Sequence, residues 1–553
     1  MNSPNPLHVI PLGGLGEIGK NMMALEYEQD IIVIDCGVMF PEEDMPGVDL
    51  VIPDISYLTQ NSDRVRAIFI THGHEDHTGA LPYVLTALNV PVYAPRLAAG
   101  LISVKLKEHR IRNAIVHEIE PGDPIQEGVF KVEFFRVCHS IPDAMGLAIS
   151  TPLGLLIHTG DFKIDHTPAD GSPTDLGHLG RLCENGVFLL MSDSTYAEVE
   201  GYTASERVVG DALERVIADA DGRVIIATFA SLIARVQQVI DATAKHGRKL
   251  ALVGRSMVDN VKMALDMGYI DDSEGVLVSI KQLQRLQSNQ IVLMTTGSQG
   301  EPTSALVRIA NGDHRDVAIE RGDTVVISAS PIPGNETVVS RTIDNLYRHG
   351  ARVLYDKIAT VHVHGHASTE ELKIMLNLTR PQFFVPVHGE YRHLVAHTKL
   401  AQELGVDSGN TFVLEDGEVL ALTPDSGTVV DHVQSGHIFV DGLQLWDKES
   451  VVLKDRRMLS RDGIVVLTLA IDGSSGKITK TPAIASSGVV EFDRYPELFD
   501  RAAKVARDSA SQSQFSFPLE WIELSNDIKV ALSTFIYEET HLRPVIILVP
   551  LEI

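Results

Sequence analysis

The chain has 553 residues, more than one hydrophobic core organises, so about three folding units are expected. With 44% hydrophobic and 22% charged residues it reads as globular, and no apolar run approaches the roughly 20 residues that span a bilayer. The net charge of −27 argues against bulk attraction to a polyanion, so any nucleic acid would have to be gripped by a local basic channel and bound ions.

The amino-terminal MNSPNPLHVIPLGG has neither the basic nor the apolar region of a signal peptide. Cys36, Cys138 and Cys183 are odd in number and far apart, which excludes a disulfide framework and makes the cytoplasm the expected compartment. LHVIPLGG and ALEYEQDIIVIDCG are β runs, and the glycine-rich GGLGEIGKN between them is a hairpin turn, because β-type sequence follows where a nucleotide loop needs a helix. RVRAIFIT is a strand, HGHEDHTGA a loop and LPYVLTAL a helix start. VPVYAP, FKVEFFRVC, LGLLIHTGD and GVFLLMSD continue as short strands and turns.

After Thr203 the rhythm changes. Helices such as ASERVVGDALERVIADADG and ARVQQVIDATAKHG alternate with strands such as RVIIATFA, KLALVG, QIVLMTTG and DTVVISA, as in a doubly wound parallel sheet. Residues 369–425 return to the first style, so the first unit spans 1–204 and 369–425 and is interrupted by 205–368. Residues 426–449 read as a linker, and 450–553 as a small α+β unit of order β, β, α, α, β from Val451 onward.

The strongest chemical signal is Thr71-His72-Gly73-His74-Glu75-Asp76-His77, straight after a hydrophobic strand. Imidazole and carboxylate suit Zn²⁺ and its first-row relatives, and each ion needs three or more ligands, so one loop does not complete a site. His139 in VCHSIPD, Asp161 in HTGDF and His388 in VPVHGEY also follow apolar strands. Each alone would be an ordinary turn residue, but beside the cluster they are the candidate ligands that complete it. His158 is left out of the set.

HGHEDH with the later His, Asp and His resembles the metallo-β-lactamase fold and its H-x-H-x-D-H motif. With VIPDISYL, HSIPDAMG, HTGDFKID, TGSQGEP, SPIPGNE, HGHAS and PVHGEYRHL, the whole chain is similar to the β-CASP nucleases, specifically the bacterial ribonuclease J family. Two departures stand out: His364 occupies a position where a small residue is common, and FASLIARVQQ replaces FASNxxRVQQ at Leu232 and Ile233.

The resemblance implies an α/β chain: an αββα metallo-β-lactamase sandwich, an inserted doubly wound β-CASP domain and a small α+β carboxy-terminal domain. It implies two divalent ions, Zn²⁺ and/or Mn²⁺, one on His72, His74 and His139 and the other on Asp76, His77 and His388, with Asp161 bridging. Asp76 is expected to orient the attacking water, His366 to act as general acid, and Asp193 to orient a metal-ligating histidine. Ser231, Ser298 and His362-Val363-His364-Gly365-His366 are expected to line a pocket for a 5′-monophosphorylated nucleotide of single-stranded RNA, favouring 5′→3′ exonucleolytic action with endonucleolytic cuts.

Arg235, Lys245, Arg248, Lys249, Arg255 and Lys262 are candidates for a basic channel, although most read as solvated helix-face charges. Glu42-Glu43-Asp44 with Asp49 is a candidate seat for a structural Ca²⁺, against the plainer reading of a solvated loop. The carboxy-terminal unit carries no catalytic constellation and is expected to form a homodimer, with a tetramer and RNA-degradation partners also allowed; no membrane partner is expected. A small-thioester or lactam hydrolase would not need the inserted domain. A flavo-diiron oxidoreductase would carry Glu in place of His74, and a non-catalytic scaffold would have lost ligands.

Overall fold

The computed structural model describes residues 5–42, 45–298, 304–329, 335–442, 444–447, 450–472, 478–489, 495–512 and 521–553. Two compact units emerge, one of residues 1–40 with 50–438 and the other of 41–49 with 439–553.

The first unit contains two sheets laid face to face. The eight-stranded sheet runs in the order Gly427–His432, Glu418–Leu422, Leu7–Gly13, Met22–Tyr27, Asp30–Ile34, Val65–Phe69, Val92–Pro95, Val116–Ile119. The six-stranded sheet runs Pro381–Val387, Val187–Asp193, Gly154–His158, Met145–Thr151, Phe130–Arg136, Ile125–Glu127. Alternation along FKVEFFR explains the packing. Phe130, Val132 and Phe134 point between the sheets to meet Leu25, Ile32 and Phe69, while Phe135 faces the helical layer with Leu372 and Met375. The expected αββα sandwich is therefore present, with helices Thr369–Thr379 and Tyr391–Glu403 over the six-stranded sheet.

The inserted segment forms a five-stranded, wholly parallel sheet in the order Lys249–Val253, Ile291–Thr295, Val224–Ala227, Thr324–Ile327, Arg352–Leu354. Its central strand is buried on both faces, as a doubly wound sheet requires: Val224 and Ile226 pack into one core and Ile225 and Ala227 into the other.

The linker reading needs amending, because Gly427–His432 pairs antiparallel with Glu418–Leu422 as an edge strand. In the second unit the stretch from Val451, read as a strand, is a helix, Val451–Asp462, and the strand Gln444–Asp447 precedes it. Its opening Val451-Val452-Leu453 looks like β sequence, but the KDRRMLSRD that follows is rich in charge, and the helix buries only Leu453 and Asp462. Ile464–Ile471 then pairs antiparallel with Ala483–Ser487 and parallel with Val545–Glu552. Helices Pro496–Gln512 and Trp521–Thr540 pack on this sheet through Ala502, Ala506, Leu524, Ile528 and Leu532. Among the described residues no helix is long and apolar enough to cross a membrane.

Candidate metal centre

The candidate residues share one position in the architecture, at or just beyond the carboxyl ends of strands. Asp35 follows Asp30–Ile34 and the His72–His77 loop follows Val65–Phe69, both in the eight-stranded sheet. His139, Asp161, Asp193 and His388 stand at the ends of Phe130–Arg136, Gly154–His158, Val187–Asp193 and Pro381–Val387 in the six-stranded sheet. The strands within each of these sets run in one direction, so the residues gather on a single rim.

Two sets of donor atoms hold the expected ligands, His72, His74, His139 and Asp161 in one and Asp76, His77, Asp161 and His388 in the other, and a third joins Asp161 and His388 to Asp193 and His366, each within 4.8 Å. Asp161 belongs to all three. Its Oδ2 lies 3.2 Å from His77 Nε2 and 3.7 Å from His72 Nε2 and His139 Nε2, and its Oδ1 lies 2.9 Å from His388 Nδ1. All seven residues expected from the sequence to ligate metal are thus brought together.

The hydrogen-bond pattern around these rings tests whether a cation fits. His139 Nδ1 donates to the Gly365 carbonyl at 2.8 Å, so its Nε2 presents a lone pair toward His74 Nδ1, 3.2 Å away. His77 Nδ1 donates to Asp35 Oδ2 at 2.8 Å, which leaves Nε2 as the ring nitrogen facing Asp161 at 3.2 Å. His388 Nε2 is buried without a hydrogen-bond partner, 3.5 Å from Asp76 Oδ2. Converging ring nitrogens and carboxylates are a cation seat, and nitrogen with oxygen donors suits Zn²⁺ or its first-row neighbours.

The electrostatics agree. Burial holds the His72 and His139 imidazoles well below their ordinary range and His74 at about 4, so these rings are neutral, as ligands must be. Burial would raise Asp161 and Asp76, but His77 and His388 hold both well below the usual carboxylate range. At His388 burial opposes the charge, yet Asp161 and Asp76 outweigh it and push the ring up to about 10. The rim gathers positive charge beside its carboxylates, and protons compete with metal for the same nitrogens.

Asp35 is the residue that sequence reasoning missed. Its carboxylate accepts the Thr71 amide at 2.8 Å, the Thr71 hydroxyl and His77 Nδ1, and so fixes the ring and tautomer of a candidate ligand. The signal was available, since IIVIDCG is an acid after an apolar strand, just as HTGDF is. Asp35 (φ 60°) and His388 (φ 54°) both occupy left-handed backbone, a strained conformation for non-glycine residues that concentrates at functional sites. Asn21, on the hairpin turn, also reaches the centre, with Nδ2 3.1 Å from the Asp76 carbonyl and 3.2 Å from His77 Nε2.

Asp193 requires a correction. Its Oδ2 is 2.8 Å from His366 Nδ1, while its Oδ1 is 3.7 Å from His388, so its hydrogen bond orients His366 rather than a ligand histidine. Burial alone would depress His366, but Asp193 outweighs it and raises the ring above its ordinary value. His366 Nδ1 is 3.9 Å from Asp161 Oδ2. The neighbouring His364 ring stacks on Tyr196 with centroids 3.6 Å apart. Gly365 has no alternative, because a Cβ there would meet His139 Cε1 at 2.5 Å. His362 is half-buried, with its Nδ1 enclosed and unpartnered, and desolvation lowers it to about 3; Val363 is buried beside it.

Ser298 is buried beyond the end of Ile291–Thr295, and Ser231 lies in the turn before helix Ile233–Lys245. Gln299 to Pro302 of TGSQGEP and most of SPIPGNE lie outside the described residues, as do Glu43 and Asp44 of the candidate calcium loop. Asp49 of that loop accepts the Gly442 amide at 2.7 Å. The basic-channel candidates also change character. Arg235 is buried, ion-paired to Glu206 and bonded to Ser328, and Arg248 donates to the Ala220 and Gly222 carbonyls. Lys245 pairs with Glu214, and Lys249 donates to the Gly275 carbonyl. His158 accepts the Gly160 amide through Nδ1 at 3.1 Å, a structural bond.

Comparison with known proteins follows the same division. Residues 15–198 match the metallo-beta-lactamase superfamily, 221–346 the ribonuclease J beta-CASP domain, 350–413 the Zn-dependent metallo-hydrolase RNA specificity domain, and 451–553 the ribonuclease J C-terminal domain. The chain is 43% identical to Ribonuclease J 1 of Streptococcus pyogenes across 98% of this chain and 97% of that protein. It is 41% identical to Ribonuclease J2 of Bacillus subtilis, across 99% of each. Ribonuclease J of Thermus thermophilus is 42% identical, across 99% of this chain and 95% of that one. A crystal structure of a protein of unknown function from Enterococcus faecalis shares the fold alone, with TM-score 0.52 and 17% identity over 75% of this chain and all of that one. With all four regions matched in sequence order and about 40% identity along its full length, the chain belongs to the ribonuclease J family.

Proposed function

We propose that this chain hydrolyses RNA phosphodiesters with two divalent ions, acting 5′→3′ from 5′-monophosphorylated ends and also cutting internally. The observation that carries the reading is Asp161, one carboxylate facing both donor sets, with the His366–Asp193 pair standing 3.9 Å from it. The RNA specificity domain match and the ribonuclease names of the relatives support the substrate class. Zn²⁺ and Mn²⁺ both suit the donors.

Two divalent ions in such a site supply Lewis-acid activation of water and charge neutralisation on a phosphodiester. The protein does the remainder. Asp76, half-buried at the mouth of the centre, orients the attacking water. His366, held by Asp193, delivers a proton to the departing oxygen. Gly365 and His364 place backbone and ring beside that proton donor, and with Ser231, Ser298, His362 and Val363 they form the pocket for the 5′-terminal nucleotide. The compartment is the cytoplasm, and the carboxy-terminal unit makes the homodimer.

The test uses end-labelled RNA bearing 5′-monophosphate or 5′-triphosphate, with Zn²⁺ or Mn²⁺ restored after chelation. Mononucleotides should be released from the monophosphate end, slowly or not at all from the triphosphate, and not without metal. Asp76→Ala or His77→Ala should reduce release to near nothing. Equal release from both ends would remove the monophosphate preference, and release that survives chelation would remove the mechanism.

A further inference from the structure

Both chain crossings between the sandwich and the inserted domain pass one side chain. Glu371 is fully buried, and its carboxylate accepts three backbone amides from three separate parts of the chain. Oε1 takes the Ile164 amide at 2.7 Å, and Oε2 takes those of Thr203 at 2.7 Å and Ser368 at 2.9 Å. Thr203 lies where the chain leaves for the inserted domain and Ser368 where it returns. The two crossings run side by side, with the Thr369 amide on the Val199 carbonyl and the Glu370 amide on the Gly201 carbonyl. Thr203 Oγ1 then donates to the His366 carbonyl at 2.7 Å. Ile164 is three residues past Asp161.

Glu371 also forms the capping box of helix Thr369–Thr379 with Ser368. A cap needs only the bond to Ser368. The bonds to Ile164 and Thr203 are additional, and they join the Asp161 loop to the segment bearing His366.

Resting on the RNA-hydrolysing reading above, we propose that Glu371 is a positioning residue that sets the register between Asp161 and the 362–366 segment, and thereby the length of the fragment released at each cut. A 5′ end seated on that segment meets the metal-bearing rim at a distance the carboxylate fixes. In Glu371→Gln one oxygen still satisfies Thr203 and Ser368, but the amide group turns an N–H toward the Ile164 N–H. The helix cap survives while the link to the Asp161 loop is broken.

The experiment compares the full-length parent with Glu371→Gln and Thr203→Val, each normalised to bound metal and to the folded fraction from its thermal transition. The expected result for Glu371→Gln is parental metal content, a KM for RNA within about two-fold, kcat lowered about 10-fold, and products shifted from mononucleotides to a mixture with longer fragments. A purely structural loss would reduce the number of active molecules without changing fragment length. A folded, metal-loaded Glu371→Gln with parental kcat and products overturns the proposal. If that variant does not fold, Thr203→Val carries the same two outcomes, since it removes the hydroxyl's bonds to the His366 carbonyl and Ser368 Oγ and leaves the three amides on Glu371 in place. If the parent itself does not cleave RNA, the functional reading fails separately. The register is then read in crystal structures of parent and Glu371→Gln, where an unmoved His366 overturns the proposal and a displaced one supports it.

Discussion

Asp35 stands outside the clustered donor sets, yet the His77 ring it holds belongs to one of them. Such outer carboxylates keep a histidine in the right tautomer, and losing one typically weakens metal binding by about 10–100-fold. Asp35→Asn keeps the shape but offers an amide to His77 Nδ1 and the Thr71 amide, so metal titration followed by isothermal calorimetry should show a loss of that size. Unchanged affinity would mean that Asp35 only supports the loop. The ligands were legible in the sequence because His72–His77 is too dense in donors to be core, which made isolated strand-end residues such as His139 and His388 meaningful. Asp35 was not, because one acid after a strand reads as a turn until its partner is known. Arg235 was misread for a related reason: helical charge spacing does not reveal a buried pairing with Glu206 across 29 residues.

At the scale of elements, the strand Met22–Tyr27 carries a pH-dependent tie between neighbouring segments. Burial would raise the Glu26 carboxyl, but hydrogen bonds with His8, Tyr57 and Arg64 lower it to about 2. A carboxylate depressed in the folded state contributes stability that is complete above its ordinary value of 4.5 and is lost as pH falls toward about 2. Solvent screening of this partly exposed group limits the contribution to about 1–2 kcal/mol. Thermal melts should therefore show Glu26→Gln less stable than the parent at pH 6 and nearly equal to it at pH 2.5; parallel curves would exclude the tie. Element type was largely readable, since alternating strands and helices after Thr203 leave few alternatives to a parallel sheet. Strand order was not, because the central place of Val224–Ala227 arises from packing between distant segments that no local pattern encodes. Val451–Asp462 misled by its first three residues alone.

For the whole molecule, the carboxy-terminal unit has its own sheet, helices and core and, among the described residues, supplies none of the clustered donors. Light scattering on a chain ending near residue 450 should report fewer subunits than the full-length protein; an unchanged number would place the association elsewhere. The rim depends on a different assembly, because its donors hang from two sheets whose facing sides are packed largely with hydrocarbon. The thickness of that filling is therefore a calliper, closed on the converging donor atoms by Phe134, Phe69 and their neighbours. Phe134→Ala is expected to cost about 3–5 kcal/mol of stability. It should also lower metal affinity at temperatures where circular dichroism still reports a folded chain, so that a mutation touching no donor is felt first as a loosened grip.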